Sequence, residues 1–187
     1  MNKLKKLLIM WLLNLIKAIF IKKDIKGINN MEFNDVIDKV LEHEGGYVND
    51  PNDLGGETKY GISKRAYPDI DIKSLTKEDA KDIYKRDYWD RNKVGSMPEQ
   101  LRYLYFDMCI NMGPRNAGKI LQRAANGKNK DKIVVDGKVG PATIAAVSKV
   151  EEDRLRSYRV LYYANLVIKK PEQEKFWFGW FRRSLEV

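Results

Sequence analysis

The sequence predicts a predominantly helical α+β domain carrying one small β-hairpin, and three features of the pattern carry that expectation. Apolar residues recur at helical spacing from Phe33 onward. A stretch rich in Asp, Asn, Pro and Gly interrupts them between Tyr47 and Ile62. Helical periodicity then resumes near Ser74 and continues almost to the end. With 187 residues, 43% hydrophobic and 33% charged, the chain suits one solid globular domain rather than two.

The first thirty residues stand apart. Leu7 to Ile21 is apolar except for Asn14 and Lys17, and lysines flank it at Lys3, Lys5, Lys6, Lys22 and Lys23. No small-x-small cleavage site follows, which argues against a removed leader. Fifteen helical residues span only ~22 Å, short of a bilayer core of ~30 Å. Lys3, Lys6, Asn14 and Lys17 share one side of a helical wheel, and such a stripe on a greasy helix suits a membrane interface. Residues 1–30 are therefore expected to form a membrane-interacting or anchor segment followed by a polar linker. The alternative is a helix packed on its own domain. Met31 stands at the linker's end as a possible second start.

Charge points away from nucleic acid. Of the net charge of +9, the seven lysines and one aspartate of residues 1–30 supply +6, which leaves +3 for the remaining 157 residues. Cys109 is the only cysteine and His43 the only histidine. No intrachain disulfide can form, and a zinc site built on several histidines is excluded. Gly113 to Lys119 resembles a phosphate loop up to its lysine, but Ile120 stands where Ser or Thr is needed and Pro114 lacks an N–H donor. A Cys109–His43 peptidase is disfavoured because Cys109 lies between Met108 and Ile110, where a buried thiol is expected. Ser74 and Lys77 have serine–lysine spacing, which helix capping explains as well.

Phe33, Val36, Ile37, Val40 and Leu41 define the buried face of the first domain helix, and Glu44 falls nearly in line with Phe33 three turns later. Gly45-Gly46 supplies a stop. A carboxylate at the end of a core-facing stripe, at the negative end of a helix, has its pKa pushed up, as a general acid requires. The segment from Tyr47 to Ile62 reads as a hairpin or small sheet, with Asp50, Asp53 and the Thr58 hydroxyl placed to fold back toward Glu44. A glycosidase needs such company: one acid to protonate the leaving oxygen and one carboxylate to direct water or support the cation-like sugar. Turn chemistry is the plainer account of the two aspartates.

The run Glu44-Gly-Gly-Tyr47-Val-Asn-Asp50-Pro-x-Asp53-x-Gly-Gly-x-Thr58-x-Tyr60-Gly-Ile62 resembles the signature of glycoside hydrolase family 108, phage endolysins and secretion-associated muramidases. The resemblance implies that Glu44 is the catalytic acid. The spacing of Glu44, Asp53 and Thr58 is also similar, within one residue, to the Glu-Asp-Thr triad of phage-type lysozymes. That likeness implies catalytic roles for Asp53 and Thr58, with Asp50 as the rival carboxylate. It implies a lysozyme-like, two-lobed domain over 31–187 that cuts the β-1,4 bond between N-acetylmuramic acid and N-acetylglucosamine without metal or cofactor.

Further along, Thr76-Lys-Glu-Asp79 opens a helix that runs toward Tyr88-Trp89. Pro98 to Met112 reads as an amphipathic helix containing Asp107 and Asn111. Tyr47, Tyr60, Tyr88, Trp89, Asn111 and Asp50 are expected to contact substrate, with core packing as the alternative for Tyr88 and Trp89. Asp136-Gly-x-x-Gly140-Pro-x-Thr143 resembles peptidoglycan-associated helical modules, although Gly-Pro before a helix is also ordinary punctuation. A long helix follows from about Glu151, and the chain closes on an aromatic, basic segment from Phe176 to Arg183.

The domain thus divides into a catalytic part, 31–115, and a helical peptidoglycan-binding part, 116–187. The expected partners are peptidoglycan and, for the tail, membrane lipid; a monomer is expected. The expected place is the bacterial cell envelope, membrane-associated or exported to the wall, or the host cytoplasm for a phage-encoded chain. The competing readings are a non-catalytic wall-binding protein, a membrane-disrupting protein, and a wall amidase or peptidase.

Overall fold

A computed structural model describes residues 32–43, 47–49 and 56–187. The tail expected over 1–30, the Met31 start, and Glu44, Asp50 and Asp53 lie outside the described residues. Those described form a mostly helical α+β structure, as the sequence predicts, with one two-stranded antiparallel hairpin.

Helix α1, Phe33–His43, buries the face read from its spacing: Phe33, Val36, Ile37, Val40 and Leu41 are all in the core. Its opposite side is tied down by Asp38, which takes Lys77 and Lys81, each at 3.2 Å. Strands β1, Thr58–Lys59, and β2, Ile62–Ser63, pair with Thr58 opposite Ser63 and Lys59 opposite Ile62. The two turn residues, Tyr60 at φ 52° and Gly61 at φ 73°, are both left-handed. That is the turn whose twist matches a two-residue hairpin. The hairpin therefore turns at Tyr60-Gly61, at the far end of the segment where the sequence placed it.

Helix α2, Lys77–Tyr84, begins at a reciprocal cap. The Asp79 N–H donates to Thr76 Oγ1 at 3.1 Å and the Thr76 N–H to Asp79 Oδ2 at 2.9 Å. The serine–lysine pairing is absent: Ser74 Oγ donates to the Asp71 carbonyl at 3.2 Å, and Lys77 is engaged with Asp38. The helix widens into a π-helical stretch, Lys85–Asp90, and a short 3₁₀ turn, Val94–Ser96, leads to α3, Glu99–Met112.

Helix α3 corrects the amphipathic expectation. Leu104 through Cys109 are six consecutive buried residues, so the helix is covered all round rather than along one stripe. It runs through the centre, packed against α4, Pro114–Lys128, and α6, Glu152–Lys169. The Cys109 thiol is buried there and pushed up to about 12 by that burial, which removes its thiolate from neutral chemistry. Pro114 serves as the first residue of α4, where its missing N–H costs nothing.

Helix α5, Pro141–Ala146, begins within the Asp-Gly-x-x-Gly-Pro-x-Thr motif, whose polar groups brace it against α4. Gln122, buried on α4, donates to Asp136 Oδ1 at 2.9 Å, to the Lys138 carbonyl at 3.1 Å and to Thr143 Oγ1 at 3.3 Å. It accepts from the Gly137 N–H at 2.8 Å. Gly118 and Gly137 let the loop lie directly on the helix, since a Cβ on Gly118 would come 2.6 Å from the Gly137 carbonyl oxygen. Helix α7, Trp177–Glu186, follows a 3₁₀ segment, Pro171–Phe176, and packs on α6 through Tyr163 stacked on Trp180, ring centroids 4.9 Å apart. Among the described residues no helix is long and apolar enough to cross a membrane.

Candidate active site

The described part of α1 ends at His43, one residue before Glu44. The segment after it returns in register. Val48 and Thr58 form an isolated antiparallel bridge, each N–H donating to the other's carbonyl at 2.8 Å. Thr58 then pairs on its other side with Ser63, so three short stretches of chain lie side by side with Thr58 in the middle. The bridge thus pairs the chain on either side of positions 49–57, the stretch of sequence that holds both candidate aspartates.

Thr58 is half-buried, and its hydroxyl donates to the Gly56 carbonyl at 3.3 Å. Tyr47 is exposed, with its hydroxyl donating to Glu57 Oε1 at 2.9 Å. That bond, more than partial burial, raises the Tyr47 phenol above its ordinary value. Tyr60 packs its ring against the core from the hairpin turn, and its carbonyl accepts from the Tyr84 hydroxyl at 3.1 Å.

Tyr88 and Trp89 divide. Tyr88 is half-buried, 5.6 Å from Tyr84 ring to ring, and keeps access to solvent. Trp89 is only 5% exposed and sits edge-on to Phe33 at 5.5 Å and to Phe106 at 5.3 Å. A substrate role for Trp89 is therefore corrected to a core role, because an indole wedged among two phenyl rings presents no face to a sugar. Beside them, Asp87 is held below the usual carboxylate range by the Arg86 guanidinium and, against burial, by the Tyr67 hydroxyl.

Asn111 is exposed at the end of α3. Its amide donates to the Asp107 carbonyl at 2.8 Å and to Asp107 Oδ1 at 3.1 Å. Asp107, named from sequence only as part of the helix pattern with Asn111 and given no role there, anchors a buried charge cluster. It is 1% exposed and pairs with Arg159 at 2.6 Å and with Arg183 at 2.8 Å. Asn111, Asp107 and Arg183 border a cavity of about 420 Å³ between α1, α3 and α7, which Lys39, Val40 and Tyr103 also line. Val40 precedes Glu44 by one helical turn in sequence. The structure thus gathers Asn111 with α1, and Tyr47 and Thr58 with the hairpin.

These features agree with the comparisons. The profile for glycosyl hydrolase 108 matches residues 37–113, and that for a predicted peptidoglycan domain matches residues 116–185. A solved structure described as Brucella abortus SagA is 31% identical, with a TM-score of 0.68, covering 82% of this chain and 90% of that one. No curated protein sequence matches. The fold and these matches define a glycoside hydrolase that acts on peptidoglycan. The chain belongs to glycosyl hydrolase family 108.

Proposed function

We propose that the chain is an N-acetylmuramidase that hydrolyses the β-1,4 bond between N-acetylmuramic acid and N-acetylglucosamine. Glu44 protonates the leaving oxygen. Asp53 directs water or supports the developing cation, with Asp50 bracing the turn through Pro51, and Thr58 positions water. The observation that carries this reading is the Val48–Thr58 bridge. It pairs two stretches of the signature run that stand ten positions apart in sequence, with Thr58 between Val48 and Ser63. Tyr47, Tyr60, Tyr88 and Asn111 are the substrate-contacting candidates that keep some exposure.

The setting is the cell envelope, and the lytic, endolysin-like role follows from the same chemistry. The protein acts as a monomer, with residues 1–30 at the membrane interface. A chain starting at Met31 should stay in solution where the full chain sediments with membranes.

The test is Glu44→Gln, which keeps shape but removes the proton. Release of reducing ends from purified peptidoglycan should fall by at least ~10²-fold. Mass spectrometry of the unaltered digest should show fragments ending in muramic acid. Near-normal turnover by a folded Glu44→Gln protein, or release of amines instead of reducing ends, would refute the mechanism.

A further inference from the structure

We infer that a groove between α4 and α6 is a binding site for the carboxylate-bearing peptide stems of peptidoglycan, with the adjoining sugar packed on tyrosine. This rests on the reading of the chain as a peptidoglycan enzyme and adds the place where the strand is held outside the catalytic part. The groove encloses about 470 Å³ and lies wholly within residues 116–185, the span matched by the peptidoglycan domain.

Its two walls are complete helical stripes. On α4, Asn116, Lys119, Ile120 and Arg123 stand at i, i+3, i+4 and i+7, and on α6 Tyr158, Tyr162, Asn165 and Lys169 stand at i, i+4, i+7 and i+11. From Tyr158 to Lys169 the α6 wall runs about 16 Å at 1.5 Å per residue, enough for a sugar and part of its peptide. Ile120, 1% exposed, seals the floor.

The electrostatics select the ligand. Lys119, Arg123 and Lys169 converge on the groove, and none of its lining residues is acidic. Elsewhere on this surface basic side chains are commonly neutralised in place. Lys128 bonds Glu151, Arg154 meets Glu151 at 2.8 Å and Arg182 meets Glu186 at 2.9 Å. No ion pair is made by Lys119, Arg123 or Lys169 among the described residues, so three cations face one concavity without an anion. A ligand bearing several carboxylates on a short flexible chain satisfies them through charge-assisted hydrogen bonds. A neutral glycan alone does not.

The tyrosines supply the apolar surface a pyranose ring packs on. Tyr158 is set by a glycine: a Cβ at Gly127 would come 2.3 Å from its hydroxyl, so the phenol lies directly against the α4 backbone. Tyr162, one turn further along α6, is half-buried, and its partial burial raises its phenol above the ordinary value.

The experiment is co-sedimentation of the full chain with purified sacculi, and with the same sacculi stripped of peptide stems. Arg123→Glu/Lys169→Glu should weaken retention on intact sacculi by about tenfold or more. Its effect on stripped glycan should be small. Lys130→Glu/Lys149→Glu makes the same change in net charge at exposed sites outside the groove and should retain binding. Should the reversal pair misfold by circular dichroism, Arg123→Gln/Lys169→Gln tests the same contacts. Unchanged retention, an equal loss from the control pair, or an equal loss on stripped glycan would each overturn the assignment. Reducing-end release by the unaltered chain is measured in parallel. A chain that binds through this groove but releases no ends keeps the groove and refutes the hydrolase reading, and the reverse result does the opposite.

Discussion

Replacing Asp107 by leucine removes the carboxylate that pairs with two guanidinium groups, those of Arg159 and Arg183. Arg183 is 30% exposed and can turn toward water once released, but Arg159 is fully buried. None of its three guanidinium nitrogens makes a hydrogen bond among the described residues, so the ion pair of Nη2 with Asp107 Oδ2 at 2.6 Å is what neutralises it. Leaving a buried charge uncompensated costs about 3–5 kcal/mol. The larger part falls on Arg159, which has no route to solvent. Removing the arginine instead, Arg159→Met, leaves Asp107 bonded to Arg183 and Asn111 and should cost only about 1–2 kcal/mol. The double variant Asp107→Leu/Arg159→Met replaces the pair by apolar surface and should be more stable than Asp107→Leu alone. Urea unfolding followed by circular dichroism gives the three free energies, and thermal melting should show Asp107→Leu lowered by roughly 6–20 °C. A loss below about 1 kcal/mol for Asp107→Leu, or strict additivity in the double variant, would refute the account of Asp107 as the counter-ion of Arg159.

Three further outcomes are expected. Glu151 is held down to about 2 from an ordinary 4.5, first by its bond to Lys128 and then by Arg154. A depressed carboxylate stabilises the fold above its unfolded pKa and loses that contribution as pH falls from about 4.5 toward 2. Glu151→Gln should therefore lower stability at neutral pH and flatten the acid limb of the profile, the two profiles converging as pH falls toward 2. Gly118→Ala drives a methyl into the Gly137 carbonyl and should destabilise by about 1–3 kcal/mol, read as a lower urea midpoint with an unchanged slope. Asp53→Asn should lose far more wall-digesting activity than Asp50→Asn, whose effect should show mainly in melting temperature; the opposite ranking would give Asp50 the catalytic role.

Much of the architecture was legible because spacing and burial obey the same periodicity. The five apolar positions of α1, the Thr76–Asp79 cap and the long helix after Glu151 all follow local rules, and the structure keeps them. What failed was long-range. Helix α3 reads as amphipathic if only Leu101, Leu104, Tyr105 and Met108 are counted. Phe106 and Asp107 are buried by α1 and by the arginines of α6 and α7, which no local window contains. A usable signal was present nonetheless. Leu155, Arg159 and Tyr163 are four apart and all buried, so an arginine on a core stripe required an anion, and Asp107 on another core stripe was available. Trp89 was ambiguous for a related reason: the π-helical stretch changes which side chains share a face, and a 3.6-residue count does not anticipate it. For the candidate site, Tyr47, Thr58, Tyr60, Tyr88 and Asn111 came from the motif, whereas the bridge that joins Val48 to Thr58 is a pairing that no spacing rule announces.

That bridge separates two design problems. Because the Val48–Thr58 bridge and the Thr58–Ser63 pairing fix the chain on either side of positions 49–57, a change of length within that stretch is expected to leave the hairpin register in place. The entropic cost of a longer loop grows only logarithmically, about 0.6 kcal/mol for each doubling. Natural variation and directed libraries alike can then alter the length of that stretch while the scaffold stays fixed. In this fold the length of chain between two paired strands is a variable separate from the scaffold that pairs them.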